Sequence, residues 1–367
     1  MIINRTPFRI SFFGGGTDYP SWYLKHGGSV LCTAIDKYCY ITCRLLPPFF
    51  EHRLRIVYSQ MEHCQHYSEI KHAAVRETLR FLDLDRGLEI HHDGDLPSRS
   101  GVGSSSSFTV GFLHTLYALQ GIMPSKKRLA LESIHIEQNL IKETVGSQDQ
   151  VCVAYGGLNQ IDFSRNGKIE IRPLTLSMAR TEELNSHLML FYTGIKRTAS
   201  DVASSYVHDI DSRHKLLSRI RDMVDEGVDI LRSGSGIDRF GELLHESWML
   251  KRSLSSQVSN PDLDALYNKA RNAGAIGGKI TGAGGGGFLL LFVPPSAQNK
   301  VREALGGQIH VPFCFEPAGS QIIFYEPERQ DYSEVEKDRS QRPALRFREL
   351  VVSKEPEMAD SESRVGS

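Results

Sequence analysis

Along PFRISFF, residues 7–13, apolar and polar positions alternate: Phe8, Ile10 and Phe12 share one face, Arg9 and Ser11 the other. A period of two predicts a half-buried strand. AIDKYCYITCRLL, RLRIVYS and LEIHHDGDLP predict further strands, the last ended by Pro97. From Ser104 the period lengthens. Phe108, Phe112, Leu116 and Leu119 lie near one stripe of a helix that Gly121 stops, and a second helix is predicted from about Ser125 to Thr144. GGLNQIDFS and KIEIRPL read as a hairpin closing this half. The second half opens with the strand HLMLFYTG, followed by helical stretches at about 200–232, 238–256 and 261–273, with RSGSG as a turn between the first two. GGKITGAGGGG, the apolar strand FLLLFV and a last strand near QIIFY complete it. The pattern predicts a two-domain α+β chain, residues 1–175 and 176–326, with no internal repeat. Beyond Glu326 the residues turn charged and aperiodic, so 327–367 reads as a disordered or loosely docked tail.

Composition narrows the function classes. Of 367 residues, 40% are hydrophobic and 24% charged, as in soluble globular proteins. Lys plus Arg number 43 against 44 Asp plus Glu, so no global field favours nucleic acid or an anionic membrane. An anionic ligand must be held by local groups. No apolar run approaches the roughly 18 residues of a membrane span, and MIINRTPFRISFF lacks the features of a signal peptide. Six cysteines form no C-x-x-C pair and no metal spacing with histidine, which fits reduced thiols in a cytoplasmic protein. His91, His92 and His245 read as structural or surface residues.

The stretch DLPSRSGVGSSSSF, residues 95–108, joins a strand to an apolar helix without a polar spacer. A Gly/Ser linker seldom interrupts a core so abruptly. Glycines allow a tight turn, serines can cap the first N–H groups of the helix, and free N–H groups at a helix start attract an anion. The G-x-x-x-x-G-K-[ST] phosphate loop is absent from the chain. Gly282, Gly284 and Gly287 match G-x-G-x-x-G, but a strand follows where that fingerprint requires a helix.

Glu137 stands out on its own helix. At 100° per residue, Glu132, His135, Gln138, Asn139, Lys142 and Glu143 share one polar arc, and Glu137 points nearly opposite. A carboxylate there needs a structural arginine or a bound cation.

LPSRSGVGSSSSF resembles the P-x-x-x-G-L-G-S-S-[AS] nucleotide loop of the GHMP small-molecule kinases, which include galactokinases and mevalonate kinases, with Val102 in place of Leu. TPFRISFFGGGTDYP resembles the N-terminal substrate motif of that superfamily, and GGKITGAGGGGFLLLF its C-terminal glycine-rich motif. The three occur in the family's order across residues 5–292. The resemblance implies a ribosomal-S5-like N-terminal α/β domain and a ferredoxin-like C-terminal α+β domain. It implies ATP on Pro97, Ser98, Ser100, Gly101, Val102, Gly103, Ser104, Ser105 and Ser106, with Mg²⁺ held by Ser105 and Glu137.

GSQDQ is similar to the G-x-x-D-Q segment of galactokinases, which makes Asp149 the group facing the acceptor hydroxyl rather than a helix cap. Arg9 would keep it ionised and stabilise the transferring phosphoryl group, where a strand-surface ion pair is the alternative. Galactokinases carry Glu-His where this chain has Gly15 and Gly16, while Thr17 and Asp18 are retained. Galactose is therefore disfavoured. G-G-G-T-D, with HESWMLKRSLS later, looks most like the D-glycero-α-D-manno-heptose 7-phosphate 1-kinases. Gly15, Gly16, Thr17, Asp18, Gly282, Ala283, Gly284 and Gly285 are then substrate residues, and Lys251 and Arg252 would hold a sugar phosphate unless they are solvated helix charges. A kinase for fucose or a hexuronic acid, or a non-catalytic sugar or nucleotide sensor on the same fold, are the alternatives. A homodimer is compatible with either.

Overall fold

The computed structural model describes residues 1–195, 199–234 and 236–327, with Tyr332, Glu334, Val335 and Asp338. In the first half the elements run β1 (Ile2–Phe13), α1 (Pro20–His26), β2 (Gly28–Leu45), β3 (Leu54–Val57), β4 (Met61–Cys64), α2 (Ala73–Phe81) and β5 (Leu88–Gly94). There follow α3 (Ser104–Leu119), α4 (Lys126–His135), α5 (Gln148–Tyr155), β6 (Leu158–Phe163) and β7 (Ile169–Pro173). The alternation in PFRISFF thus belongs to one long strand. Beside it β2 is a spine: its start pairs with β6, its end with β5, and β1 runs antiparallel along its other edge.

Helix α3 covers this sheet. Phe112 and Leu116 are fully buried in one cluster with Phe8, Ile10 and Phe12 of β1, each contributing about 1.5–3 kcal/mol on burial. The approach is close enough that a Cβ on Gly111 would stand 2.7 Å from Asn4 Oδ1 and Thr6 Oγ1. That packing fixes the start of α3 against β1, where the serine loop and Arg9 meet.

The second half runs α6 (Met178–Ser186), β8 (Leu188–Tyr192), α7 (Ala199–Val207), α8 (His214–Arg232), α9 (Asp238–Arg252) and α10 (Pro261–Asn272). It ends with β9 (Gly277–Ile280), β10 (Phe288–Phe292), α11 (Gln298–Ala304), β11 (Ile309–Val311) and β12 (Gln321–Tyr325). Strands β11, β8, β10 and β9 form an antiparallel sheet in that order, the arrangement of a ferredoxin-like unit. Asn260 caps α10 by accepting from Leu263 N at 3.0 Å, with Pro261 as the first helical residue.

Three expectations are corrected. Strand β12 does not belong with 176–326; it pairs antiparallel with β1 and forms the edge of the first sheet, so the chain returns to its own beginning. The helix expected over 200–232 is broken at residues 208–213, where Ser212 Oγ donates to Asp209 O at 2.8 Å and Oδ2 at 2.6 Å. Such local side-chain bonds compete with the helical ladder. The helix expected to Thr144 passes through a π turn at Ile136–Leu140 and ends there; Lys142, at φ 64°, turns the chain away.

The tail expected over 327–367 lies, apart from Pro327 and the four residues named above, outside the described residues. Five cysteines are buried, Cys314 is exposed, and no disulfide joins any of them. Among the described residues no helix is long and apolar enough to cross a membrane.

Candidate active site

Arg9, on the polar face expected of β1, is only 3% exposed. Its Nε and Nη2 donate to Asp149 Oδ1 and Oδ2 at 2.7 and 2.6 Å, and Nη1 donates to Gly101 O at 2.6 Å. Burial works against the guanidinium charge, but Asp149 outweighs it and holds Arg9 above its ordinary value. Asp149 sits in the first turn of α5, where the helix end favours a negative charge. Three candidates from distant parts of the chain, on β1, the serine loop and α5, meet through one side chain.

The serines of the loop do not cap α3, as the sequence suggests. Its N-cap is Gly103, at φ 77°, with no side-chain cap. A side chain there is strained, because φ is positive and a Cβ would press on Arg9 Cγ at 3.0 Å. The hydroxyls go elsewhere: Ser104 Oγ accepts from Arg99 N at 3.3 Å, Ser106 donates to Glu137 Oε2 at 2.9 Å, and Ser107 donates to Pro7 O at 2.9 Å. The first-turn N–H groups therefore keep their capacity for an external anion. Gly101, Gly103 and Ser104 to Ser106 line a cavity with Arg9 and Asp149. Ser100 and Val102 are buried behind it, and Ser100 Oγ donates to Pro97 O at 2.6 Å, so these hold the turn. Pro97 and Ser98 are not among the lining residues.

Gly15, Gly16 and Asp18 line the same cavity. Asp18 is 1% exposed; its Oδ1 accepts from Gly16 N at 3.0 Å and its Oδ2 from Gln148 N at 3.3 Å. Burial and the neighbouring Asp149 charge push its carboxyl up. Thr17, expected as a substrate residue, is instead a turn residue: fully buried, its hydroxyl donates to Gly14 O at 2.8 Å and lies 3.0 Å from Ser29 O.

From the second half come Gly282, Ala283 and Lys251. A Cβ on Gly282, at φ 63°, would stand 2.7 Å from Gly101 Cα, so the two glycine loops touch backbone to backbone. Gly284 and Gly285 stand apart from the cavity and pack on Val258, whose carbonyl accepts from Gly285 N at 2.8 Å. Lys251 is 6% exposed and donates to Gly282 O; burial, with the Arg9 charge, pushes it down to about 8. Arg252 is not beside it. One residue further around α9, it pairs with Asp264 of α10 and lines a separate, serine-rich cavity.

Glu137 is fully buried, within the π turn. Its Oε2 accepts from Ser106 Oγ and Gln150 Nε2, the nearby Thr109 hydroxyl also stabilises the carboxylate, and Oε1 is buried without a hydrogen bond of normal geometry. Burial pushes the carboxyl up to about 7. An orphaned carboxylate oxygen beside a serine hydroxyl fits a hard divalent cation. The hydroxyl at Glu137 is that of Ser106; Ser105, expected there, is exposed in the cavity.

Sequence reasoning misses several cavity residues. Tyr19 lies within the N-terminal motif, next to Asp18, and that adjacency is a usable signal. Tyr206 on α7 carries none. Glu143 and Gly146 belong to the loop that the π turn creates, and Gln148 precedes Asp149. A sixth, Lys279, lies outside the lining itself, buried beneath the cavity, and donates to Ser11 O at 2.8 Å and Phe12 O at 2.9 Å.

Residues 68–157 match the GHMP kinases N terminal domain, and residues 230–310 match GHMP kinases C terminal. The D-glycero-alpha-D-manno-heptose 7-phosphate kinase of Campylobacter jejuni is 27% identical over 321 residues, covering 83% of this chain and 93% of that one. The fold is similar to that of a D-glycero-D-manno-heptose 1-phosphate kinase from Bacteroides thetaiotaomicron, with TM-score 0.73, 22% identity and coverage of 89% and 100%. It is similar also to galactokinase of Lactococcus lactis complexed with galactose, with TM-score 0.68, 18% identity and coverage of 87% and 94%. Both halves of one family are thus matched in order, on either side of a cavity where a serine loop, an arginine and an aspartate converge. The chain belongs to the GHMP kinases, phosphotransferases with an alcohol group as acceptor.

Proposed function

We propose that this sugar kinase transfers the γ-phosphate of ATP to the anomeric hydroxyl of D-glycero-α-D-manno-heptose 7-phosphate, giving the 1,7-bisphosphate. The observation that carries the reading is the two-point pair of buried Arg9 and partly exposed Asp149 at the foot of the serine loop. Gly101, Gly103 and the start of α3 cradle the phosphates, from the unit built of residues 1–175 and the returning β12. Asp149 accepts the proton of the attacking hydroxyl, and Arg9 keeps that carboxylate ionised while facing the phosphoryl group. Asp18 is held by two backbone N–H groups and retains lone pairs for sugar hydroxyls. Gly15 and Gly16 leave space at that end for a larger sugar than a hexose.

Glu137 and Ser106 would hold Mg²⁺, which when bound neutralises charge on the nucleotide phosphates. The sugar identity draws its support from the G-G-G-T-D loop and from the Campylobacter jejuni relative.

A direct test compares kcat/KM for heptose 7-phosphate, L-fucose, a hexuronic acid and galactose with ATP as donor. Heptose 7-phosphate should exceed the others by about 10²-fold or more, since a site built for polar groups rejects sugars that leave them unpaired. Faster turnover of fucose or the hexuronic acid would reassign the sugar. Tight sugar binding without turnover of any would favour a sensor.

A further inference from the structure

Two buried cations are anchored on either side of the contact between the glycine loops. Arg9 donates to Gly101 O and Lys251 donates to Gly282 O, and these two glycines touch. Both cations line the cavity that also holds Asp149 and the serine loop. Gly282 O is the one acceptor Lys251 has among the described residues, which leaves two of its three N–H groups without a protein partner. The nearby carboxylates are engaged: Asp149 gives both oxygens to Arg9, and Asp18 accepts from Gly16 and Gln148. Asp18 and Asp149 offset its charge only in part, and a buried ammonium with N–H groups left over is a ready partner for a bound anion. Arg252, turned to Asp264, cannot join Lys251 in a clamp for a sugar's own phosphate.

We propose that Lys251 is a catalytic residue of the transfer itself, bracketing the moving phosphoryl group together with Arg9, and does not hold the phosphate that the sugar already carries. The inference rests on the kinase reading but not on the identity of the sugar. In the step, the sugar hydroxyl oxygen bonds to the γ-phosphorus as the bond from that phosphorus to the β,γ-bridging oxygen breaks. The hydroxyl proton passes to Asp149, and ADP leaves with the bridging oxygen and its electron pair. Charge lies on the oxygens around the phosphorus throughout. Cations fixed on both loops meet that charge without reorganising.

The charged groups facing Lys251 are Arg9 of β1, Asp18 of the loop after it, Asp149 of α5 and Lys279 of β9. Tyr19 and Tyr206 share the cavity, and burial pushes both phenols above their ordinary range. Lys251, held at about 8, loses its charge in mildly alkaline solution; burial and the Lys251 and Arg9 charges also push Lys279 well below its ordinary value, so Lys251→Met separates the two.

The test uses the full chain with ATP, heptose 7-phosphate and the same heptose lacking the phosphate. Lys251→Met should lower kcat about 10²–10³-fold on both sugars alike, with little change in sugar KM. In the wild type, kcat/KM for ATP should fall as pH rises through about 8; that limb should vanish in Lys251→Met and move upward in Lys251→Arg. A loss confined to the phosphorylated sugar and carried by its KM would assign Lys251 to that phosphate and overturn the proposal, as would an unchanged kcat. The wild-type profile depends on no variant folding, and a flat alkaline side overturns the proposal as well. If heptose 7-phosphate is not turned over, the sugar assignment fails separately, and the comparison on whichever sugar is accepted still decides the role of Lys251.

Discussion

Gly146 and Asp18 are in closer contact than any side chain on the former would permit: a Cβ there would lie 1.8 Å from Asp18 Oδ2. The contact lets the loop after the π turn close over Asp18, whose carbonyl accepts from Ser147 N at 2.9 Å. Gly146→Ala must push the carboxylate aside. The sugar KM should rise at least about tenfold, the equivalent of one weakened hydrogen bond to a charged group, while the ATP KM stays near wild type. Steady-state kinetics with each substrate varied reads this, and an equal rise in both KM values would contradict a role confined to the sugar end.

Asp149→Asn removes the proposed proton acceptor and the counter-charge of buried Arg9. Phosphoryl transfer should fall about 10²–10⁴-fold, and ATP binding measured by calorimetry should persist. The unpaired guanidinium should also cost roughly 3–5 kcal/mol of stability, visible in denaturant unfolding. Substantial residual turnover would remove Asp149 from its assigned role.

Glu137 supplies a pH signature. Burial raises its carboxyl from 4.5 to about 7. An acid raised on folding adds stability that is fully present below its unfolded value and is lost as pH rises through its folded one. In chelator, the protein should therefore lose about 3 kcal/mol between those two pH values, and Glu137→Gln should flatten that part of the profile. Added Mg²⁺ should restore stability above neutral pH in the wild type and not in Glu137→Gln. Denaturant unfolding across the pH range measures both, and a wild-type profile flat in that window contradicts the buried, ionisable carboxylate.

Much of the site was legible because its motifs are local. Arg9 sits on an alternating strand, the serine loop bridges a strand and a helix, and Asp149 lies in the G-x-x-D-Q segment, three residues after Gly146. What the sequence hid is direction. Neighbouring residues on a helix point about 100° apart, so Ser106 and not Ser105 meets Glu137, and Lys251 and Arg252, expected to act together, part on a difference of one position. Helical periodicity placed Glu137 inside correctly, but it could not reveal the π turn that ends the helix and brings Glu143 and Gly146 to the cavity. The return of β12 to β1 is a long-range pairing, Ile2 opposite Tyr325, and nothing local in QIIFY encodes its partner. Tyr206 and Lys279 reach the site through tertiary packing alone.

The most direct measurement is phosphorus NMR of the products formed from ATP and heptose 7-phosphate. The account predicts a new anomeric phosphate signal, coupled to the sugar's anomeric proton, appearing in equal amount with ADP. Inorganic phosphate and ADP with the sugar unchanged, or phosphate on any other carbon, would contradict it.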